Sequence, residues 1–585
     1  MPVNQGFFEI INHFFTKLTG ITVAASLLLV ATGCSSQDKS NSKAESTSSN
    51  TNSVTDTSTS SKSASADASS EREVVKVSLG RQTLQNVSFP DGDTYEDNAY
   101  TRMAERELNI EIVDEFEANG DDYDRQVSLA LSAGDIPDMM KVGSLDELQE
   151  LYENDLIADL TQVYDEYASD YLKSLYDSYD GRAIANVTID GQMMALPGTN
   201  GDAGPSIVWI RSDWMDQLGL TIDEDGDKCI TIDDLVSVAK EFMDKNPENA
   251  DNVVGIAFAP WLTNGDPDGT FSMNSIAYAL GAFPKTWMEK DGNVIYGSTT
   301  DEMKQSLALV SGWFKDGILD PQVGTRTWDD ITALLANGQC GITFGTWHIP
   351  DWLLNNVYAL NNKALFEPYT LVDANGKVNC KHNDATAGYI VVSKEFEHPE
   401  IAIQIANLFY DDLKTSKELL ENYPEVAAYV KDGVDGSSRP FNIEVNSYTS
   451  LLDDYGELER CLNGEITIDE VKSAEERSNA TNILAYLEGN VDATNWSKYH
   501  SRTKGVELLQ TLSENDRFNW LTPIFPQTTP TMETNLANLQ KLEEESFIKM
   551  VTGEIDVESG FDQFVTSWND QGGAQIIKEI TEQLQ

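Results

Sequence analysis

The chain has 585 residues, with 40 Lys and Arg against 97 Asp and Glu, for a formal charge of −57. That length holds either one large two-lobed body or several smaller domains, and it buries a sizeable core in both cases. So anionic a surface repels phosphate backbones and anionic headgroups, which excludes nucleic acid as a partner and favours solubility beside a negatively charged envelope.

The first element in chain order is the apolar run GITVAASLLLV, which follows Lys17 and ends in Ala31-Thr32-Gly33-Cys34. A bilayer-crossing helix needs about 20 such residues, and this run is shorter. An apolar stretch ending in small residues reads instead as a cleaved signal peptide over residues 1–33. Its Ala-Thr-Gly-Cys ending resembles the bacterial lipobox, whose Cys is acylated, and so implies lipid attachment (palmitate) at Cys34. Glu9 in a weakly basic leader, and Ala31 where Leu is usual, depart from that pattern. Residues 34–73 form the attachment Cys and a Ser/Thr-rich linker, in which Val54 is the sizeable apolar side chain of 35–70. Such a segment buries too little to offset the entropy of ordering. As a flexible chain it spans roughly 30–36 Å, a leash between a lipid and a folded body over 74–585.

Order begins near Val74. VVKVSL alternates as an exposed strand and runs into a polar loop over 80–97, and a helix follows over 98–108. NIEIVDEF returns to period two, 123–133 is helical, and Gly134 to Pro137 turns the chain into a buried strand at Asp138-Met139-Met140. After Pro205 the pattern recurs: SIVWI as a strand, helices from Asp213 and over 232–244, then VVGIAF as another strand. Helices over 399–413, 534–551 and 557–584 make the tail all-helical. Strands alternating with helices imply βαβ units and a mixed or parallel sheet. The expected fold class is α/β, with two lobes sharing a hinge. The first lobe is mainly 74–198 plus part of 385–445, and the second is the remainder.

Besides Cys34 there are four cysteines, Cys229, Cys340, Cys380 and Cys461. In an exported protein they allow two disulfides in three pairings, or four buried thiols. Their irregular spacing, with no Cys-x-x-Cys, argues against zinc.

Several segments together resemble a known family. They are Ala133-Gly134-Asp135-Ile136-Pro137-Asp138; IDGQMMALP over 189–197; WIRSDWMDQLGL over 209–220; WFKDGILDP over 313–321; Val392-Ser393-Lys394 with His398-Pro399-Glu400; and Phe561-Asp562-x-Phe564 with Gly572-Gly573. The chain from Val74 onward is similar to the extracellular solute-binding lipoproteins of Gram-positive oligosaccharide importers, a branch of the group that includes maltose-binding protein. The resemblance implies a periplasmic-binding-protein-like clamshell with a helix-rich C-terminal part. It implies an oligosaccharide held between the lobes, closure read by ABC permease subunits, and no catalysis. It further implies a monomer lipid-anchored at the outer face of the cytoplasmic membrane.

A sugar site needs aromatic platforms beside carboxylates, amides and Arg. Eight of the eleven Trp fall between Trp209 and Trp352. Trp214, Trp313 and Trp352 lie at helical spacing among apolar neighbours and read as core. Trp347 ends a short strand at a Gly-containing turn, and by resemblance to the Gly-x-Trp of maltose-binding protein it stacks on ligand, with His348 as a solvated neighbour. Trp261 follows VVGIAFAP at another strand end. Trp209 and Arg211 occupy the strand that lines the cleft in the family, where Arg211 either donates to ligand or pairs with Asp213 or Asp216. Arg81, Gln82, Ser144 and Asp146 sit where family members contact ligand in the first lobe.

Relatives often carry a calcium loop after the Asp-Trp-Leu motif, but the matching stretch 246–252 lacks its glycines and most carboxylates. Asp223 and Asp225, and Asp266 and Asp268, are half-suited candidates. Ile232 and Ser275 fall where an EF-hand needs its bidentate Glu. No cofactor is expected, with calcium at these loops the open alternative. A glycan hydrolase or lyase, or an adhesin or sensor, is the competing function. Gly-x-Ser-x-Gly, His-Glu-x-x-His, Walker and Gly-x-Gly-x-x-Gly motifs are absent, and His348, His382, His398 and His500 are not spaced as a metal pair.

Overall fold

The computed structural model describes residues 74–84, 89–201, 204–223, 226–265, 269–432, 434 and 436–584. Cys34, the signal segment and the linker lie outside the described residues, as do Asp225, Asp266 and Asp268. The strands that frame the site are β1 (Val75–Thr83), β2 (Ile110–Asn119), β3 (Met139–Val142), β4 (Leu196–Thr199), β5 (Ile207–Arg211), β6 (Cys229–Ile230), β7 (Ile342–Gly345), β8 (Phe366–Leu371), β9 (Val378–Lys381), β10 (Thr386–Val392) and β11 (Phe518–Leu521).

In the first lobe the strand order is β2-β1-β3-β10-β4. β1 runs parallel to β2 and β3, while β10 is antiparallel to β3 and β4. The chain leaves β1 through the helix Ala99–Leu108 to reach β2 on one side, then returns through Gly120–Ala133 to β3 on the other. β1 is therefore a topological switch point, and the crevice of such a sheet lies beyond the carboxyl ends of its strands. The first crossover helix starts where the sequence allows it. The Asn98 side chain accepts from the Tyr100 and Thr101 amides at 2.9 and 3.3 Å, and the Thr101 hydroxyl takes the Asn98 amide at 2.9 Å.

β1 corrects one expectation. It is a central strand, with Val77, Leu79 and Arg81 buried, and it continues through residue 83 where a polar loop was expected from 80. Gly80 makes this possible: a Cβ there would lie 2.5 Å from the Phe116 ring and 2.9 Å from the Met140 Cβ. Without a side chain at that position the two neighbouring strands close on β1.

The second sheet has the order β7-β5-β8-β6. All five residues of β5 are buried, as expected for a central strand covered on two faces. The stretch expected to form a strand over 253–258 is buried but pairs only through an isolated bridge, Ile256 to Leu319. Asn252 in the left-handed region (φ 56°) precedes it and Pro260 follows, so it crosses the lobe without building a ladder. The tail is also not all-helical. β11 pairs in parallel with β9, and the last helical stretch is broken at Gly572 (φ 131°) into Val557–Trp568 and Ala574–Gln583.

The core of the first sheet draws on residues 77–196 and 385–445. That of the second draws on 207–380 and 496–580, so the chain passes between the cores near 197–206, 381–384 and beyond 445. The four described cysteines are free thiols; Cys340, Cys380 and Cys461 are buried and Cys229 half-buried.

The helix Pro530–Val551 closes the second core and carries Glu543 into it with no exposed surface. Thr263 and Tyr296 hydroxyls donate to its two oxygens at 3.0 and 3.2 Å, and burial pushes its pKa up to about 7. A carboxyl whose folded pKa exceeds its unfolded one stabilises below the unfolded value, and that stability is lost as pH rises through the folded value. Between pH ~4.5 and ~7 this amounts to at most about 3 kcal/mol. Glu543→Gln is expected to shrink the fall in thermal midpoint between pH 5 and pH 8; an unchanged fall in a melting series would remove Glu543 as its source.

Candidate functional site

At the carboxyl ends of β1 and β3, Gln82 accepts from the Lys141 ammonium at 2.8 Å and from the Asn442 amide at 3.2 Å. Burial lowers the Lys141 pKa, and the Tyr123 hydroxyl fixes that strand end by donating to the Lys141 carbonyl at 2.7 Å. Gln82 thus stands at the crevice, and strand alternation turns its neighbour the other way. Arg81, expected on ligand, points into the core: its Nε lies 2.5 Å from Asp114 and its Nη1 donates to the Arg439 carbonyl at 3.0 Å. Ser144 is likewise committed to a helix start, accepting from the Glu147 amide at 3.1 Å while Glu147 takes the Ser144 amide. Asp146 is exposed and accepts from the Thr528 amide at 3.3 Å, joining the first lobe to the C-terminal segment.

On β5, Trp209 and Arg211 are fully buried and do not face a ligand. The Trp209 indole donates to the Thr346 carbonyl at 3.2 Å. Arg211 forms a fork with Asp213 at 2.7 and 2.7 Å, pairs with Glu248, and lies 4.5 Å over the Trp214 ring. Of the two roles open to Arg211, the ion pair is the one present. Trp261 is half-buried at the edge of the second core, its indole donating to the Thr270 carbonyl at 3.2 Å. Asp223 accepts from the Lys228 amide at 3.1 Å in a turn, and among the described residues no three His, Cys, Asp or Glu gather to hold a metal.

Trp347 stands apart. It follows β7 and lines a cavity of about 200 Å³ with Asp454, Tyr455, Glu475, Glu476 and Arg502. The Arg502 guanidinium lies 4.7 Å over the indole; Asp351 holds it at 2.9 Å and Glu475 at 3.3 Å. Gly505, in the π-helical turn His500–Gly505, packs against the Trp347 backbone, and a Cβ there would sit 2.5 Å from the Trp347 carbonyl oxygen. His348, expected to be solvated, is half-buried, bonded to Thr346 at 2.9 Å and edge-on to Trp347.

Residues 86–412 match the family described as bacterial extracellular solute-binding protein. The chain belongs to that family. This solute-binding protein is 22% identical over 439 residues to Lipoprotein LipO of Bacillus subtilis, covering 72% of this chain and 76% of the relative. It is also 22% identical over 463 residues to the polygalacturonan/rhamnogalacturonan-binding protein YtcQ of the same organism, covering 78% and 82%. Two solved solute-binding proteins of Bifidobacterium longum subsp. infantis share its fold. One has TM-score 0.58 at 14% identity and covers 87% of this chain and 97% of its own. The other, described as HMO-binding, has TM-score 0.52 at 16% identity and covers 87% and 98%. The two-lobed α/β fold is thus that of a protein that captures a solute outside the cell and does not transform it.

In this solute-binding protein a row of half-buried rings that the sequence reading missed spans the chain crossings. Trp520 on β11 stacks on His382 at 4.6 Å, His382 lies 6.1 Å from Tyr448, and the Arg182 guanidinium sits 5.5 Å over Tyr448. The signal available was the alternation of Phe518-Asn519-Trp520-Leu521, overlooked within a tail taken as helical.

Two variants separate scaffold from site. Arg211→Ala is expected to destabilise the fold by about 3 kcal/mol, because it strands the paired carboxylates, and a denaturant midpoint unchanged from wild type would refute the clamp. Gly505→Ala is expected to shift the Trp347 fluorescence maximum with a smaller loss of stability, since the added methyl displaces the backbone that carries the ring; a spectrum identical to wild type would count against that contact.

Proposed function

We propose that this chain is the lipid-anchored substrate-binding subunit of an ABC importer, capturing an oligosaccharide between its lobes and delivering it to the permease. The observation that carries this reading is the Trp347 cavity, in which an aromatic ring, a guanidinium and three carboxylates converge. A sugar offers an apolar C–H face to such a ring and hydroxyls to such acceptors. The polysaccharide named for YtcQ supports a glycan as cargo. The rings on the crossings lie on segments that join the two cores, which supports a closure of the lobes that a permease can read. Removal of residues 1–33 as a signal peptide and acylation of Cys34 fit the name of the relative LipO, and a tethered monomer near its permease gains effective concentration.

Calorimetry against a panel of oligosaccharides is expected to show binding with no new reducing ends; appearance of product would replace capture by hydrolysis. Trp347→Ala is expected to weaken that binding by more than about 1 kcal/mol, the range for a lost aromatic contact, and an unchanged affinity would take Trp347 out of the site. Metabolic labelling with a fatty acid is expected to mark the native chain and to spare Cys34→Ser, whereas equal labelling of the two would refute the anchor.

A further inference from the structure

The cavity beside Trp347 is small. At about 200 Å³ it falls below the roughly 300–1,000 Å³ of pockets that engulf a drug-sized ligand, so it holds one sugar ring and not a chain. Its lining is also lopsided in charge. Asp454, Glu475 and Glu476 face one cation, Arg502, and that cation is already engaged by Asp351 at 2.9 Å and Glu475 at 3.3 Å. Asp351 further holds Lys498 at 3.3 Å. Neither Asp454 nor Glu476 pairs with a cation among the described residues. Glu476 is 8% exposed and accepts from the Asn479 amide at 3.1 Å.

Ionised carboxylates accept hydrogen bonds and cannot donate them. A ligand entering here meets acceptors that lack donors, so its favourable groups are hydroxyls and ammonium. A ligand carboxylate would meet Asp454 and Glu476 as like charges, and the charge of Arg502 is already shared by Asp351 and Glu475. Like charges in a partly desolvated site cost far more than in water. Burial already pushes the Glu476 pKa up to about 7 although the Arg502 charge acts against it, and a second anion would add to the cost of ionising it.

We propose that the Trp347 cavity is a selectivity subsite that takes one neutral or amino-bearing sugar unit and turns away a uronate. This rests on the capture of a sugar at the same site. It separates this protein from the relative named for polygalacturonan, whose repeating unit carries a carboxylate at every sugar.

The test is calorimetry on the full chain at pH 7.5 with three probes of equal length: a glucosamine trisaccharide with free amines, its N-acetylated form and trigalacturonate. At least one of the first two is expected to bind tenfold or more tighter than trigalacturonate. In the double variant Asp454→Asn with Glu476→Gln that preference is expected to fall below threefold. The single variant Asp454→Asn, at an exposed position that leaves the core untouched, is expected to fall between the two. Trigalacturonate binding as tightly as the other probes, or a preference that survives in both variants, would overturn the inference and leave sugar capture standing. Failure of all three probes and of a wider glycan panel would overturn sugar capture itself, and this inference with it.

Discussion

Arg211 carries a full positive charge with no exposed surface, and the second lobe is arranged around the cost of that burial. An unpaired charge in the interior would be untenable, and a paired one holds only with good geometry and satisfied partners. Asp213 provides a fork and also accepts the Leu365 amide at 3.3 Å. Glu248 adds a second carboxylate and takes the Trp214 indole at 3.3 Å and the Asn361 amide. These bonds tie β5 to the helix after it, to the loop beyond residue 245 and to the start of β8. β7 pairs with β5 along its length, and Trp347 follows β7 directly. The position of the ring in its cavity is therefore inherited from a buried ion cluster that is not part of the cavity lining.

The first lobe solves a different problem, that of bringing three strands together at one edge. Gly80 lets Phe116 and Met140 close on β1, and the switch of connection at that strand opens the crevice where Gln82, Lys141 and Asn442 meet. The two crevices are thus unlike in charge: a half-buried ammonium beside Gln82, and carboxylates in excess over cations beside Trp347. A net charge of −57 spread over the surface says nothing of this local contrast, because fields beyond about 8 Å are screened at physiological salt.

Much of the chain was legible because its local signals agree with its long-range pairings. The helix after Asn98, the buried strand at Met139 and the central strand at Ile207 each announce themselves by a cap or an unbroken apolar run. Where reading failed, tertiary context had overruled period. The alternation of VVKVSL suits an exposed strand, yet β1 lies between β2 and β3 with Val77, Leu79 and Arg81 buried. Residues 253–258 have strand composition, but among the described residues they form an isolated bridge, Ile256 to Leu319, and scattered backbone bonds in place of a ladder. Among the site residues, Gln82 lies at the strand end facing the crevice, while Arg81 on the same strand is turned into the core. One residue of register decides which side chain enters the core and which enters the crevice. Trp209 and Arg211 were drawn to the cleft by resemblance, and only the sheet order shows them enclosed between β7 and β8.

The strand carrying Trp520 had a local signal, but the grouping of the rings at the crossings did not. Trp520, His382, Tyr448 and Arg182 lie on four segments far apart in sequence, and no local pattern links them. They meet because the chain passes between its two cores more than once, and β9 and β11 run side by side at that place. Aromatic contacts of this kind are each worth about 1 kcal/mol, enough together to bias a hinge and too little to lock it. A ligand that adds or removes one such contact would shift the balance between open and closed forms by a similar amount. Under the proposed function, charge selection at Trp347 and lobe closure are separable properties: the carboxylates would decide which sugar enters, and the row of rings would set how much binding energy closure requires.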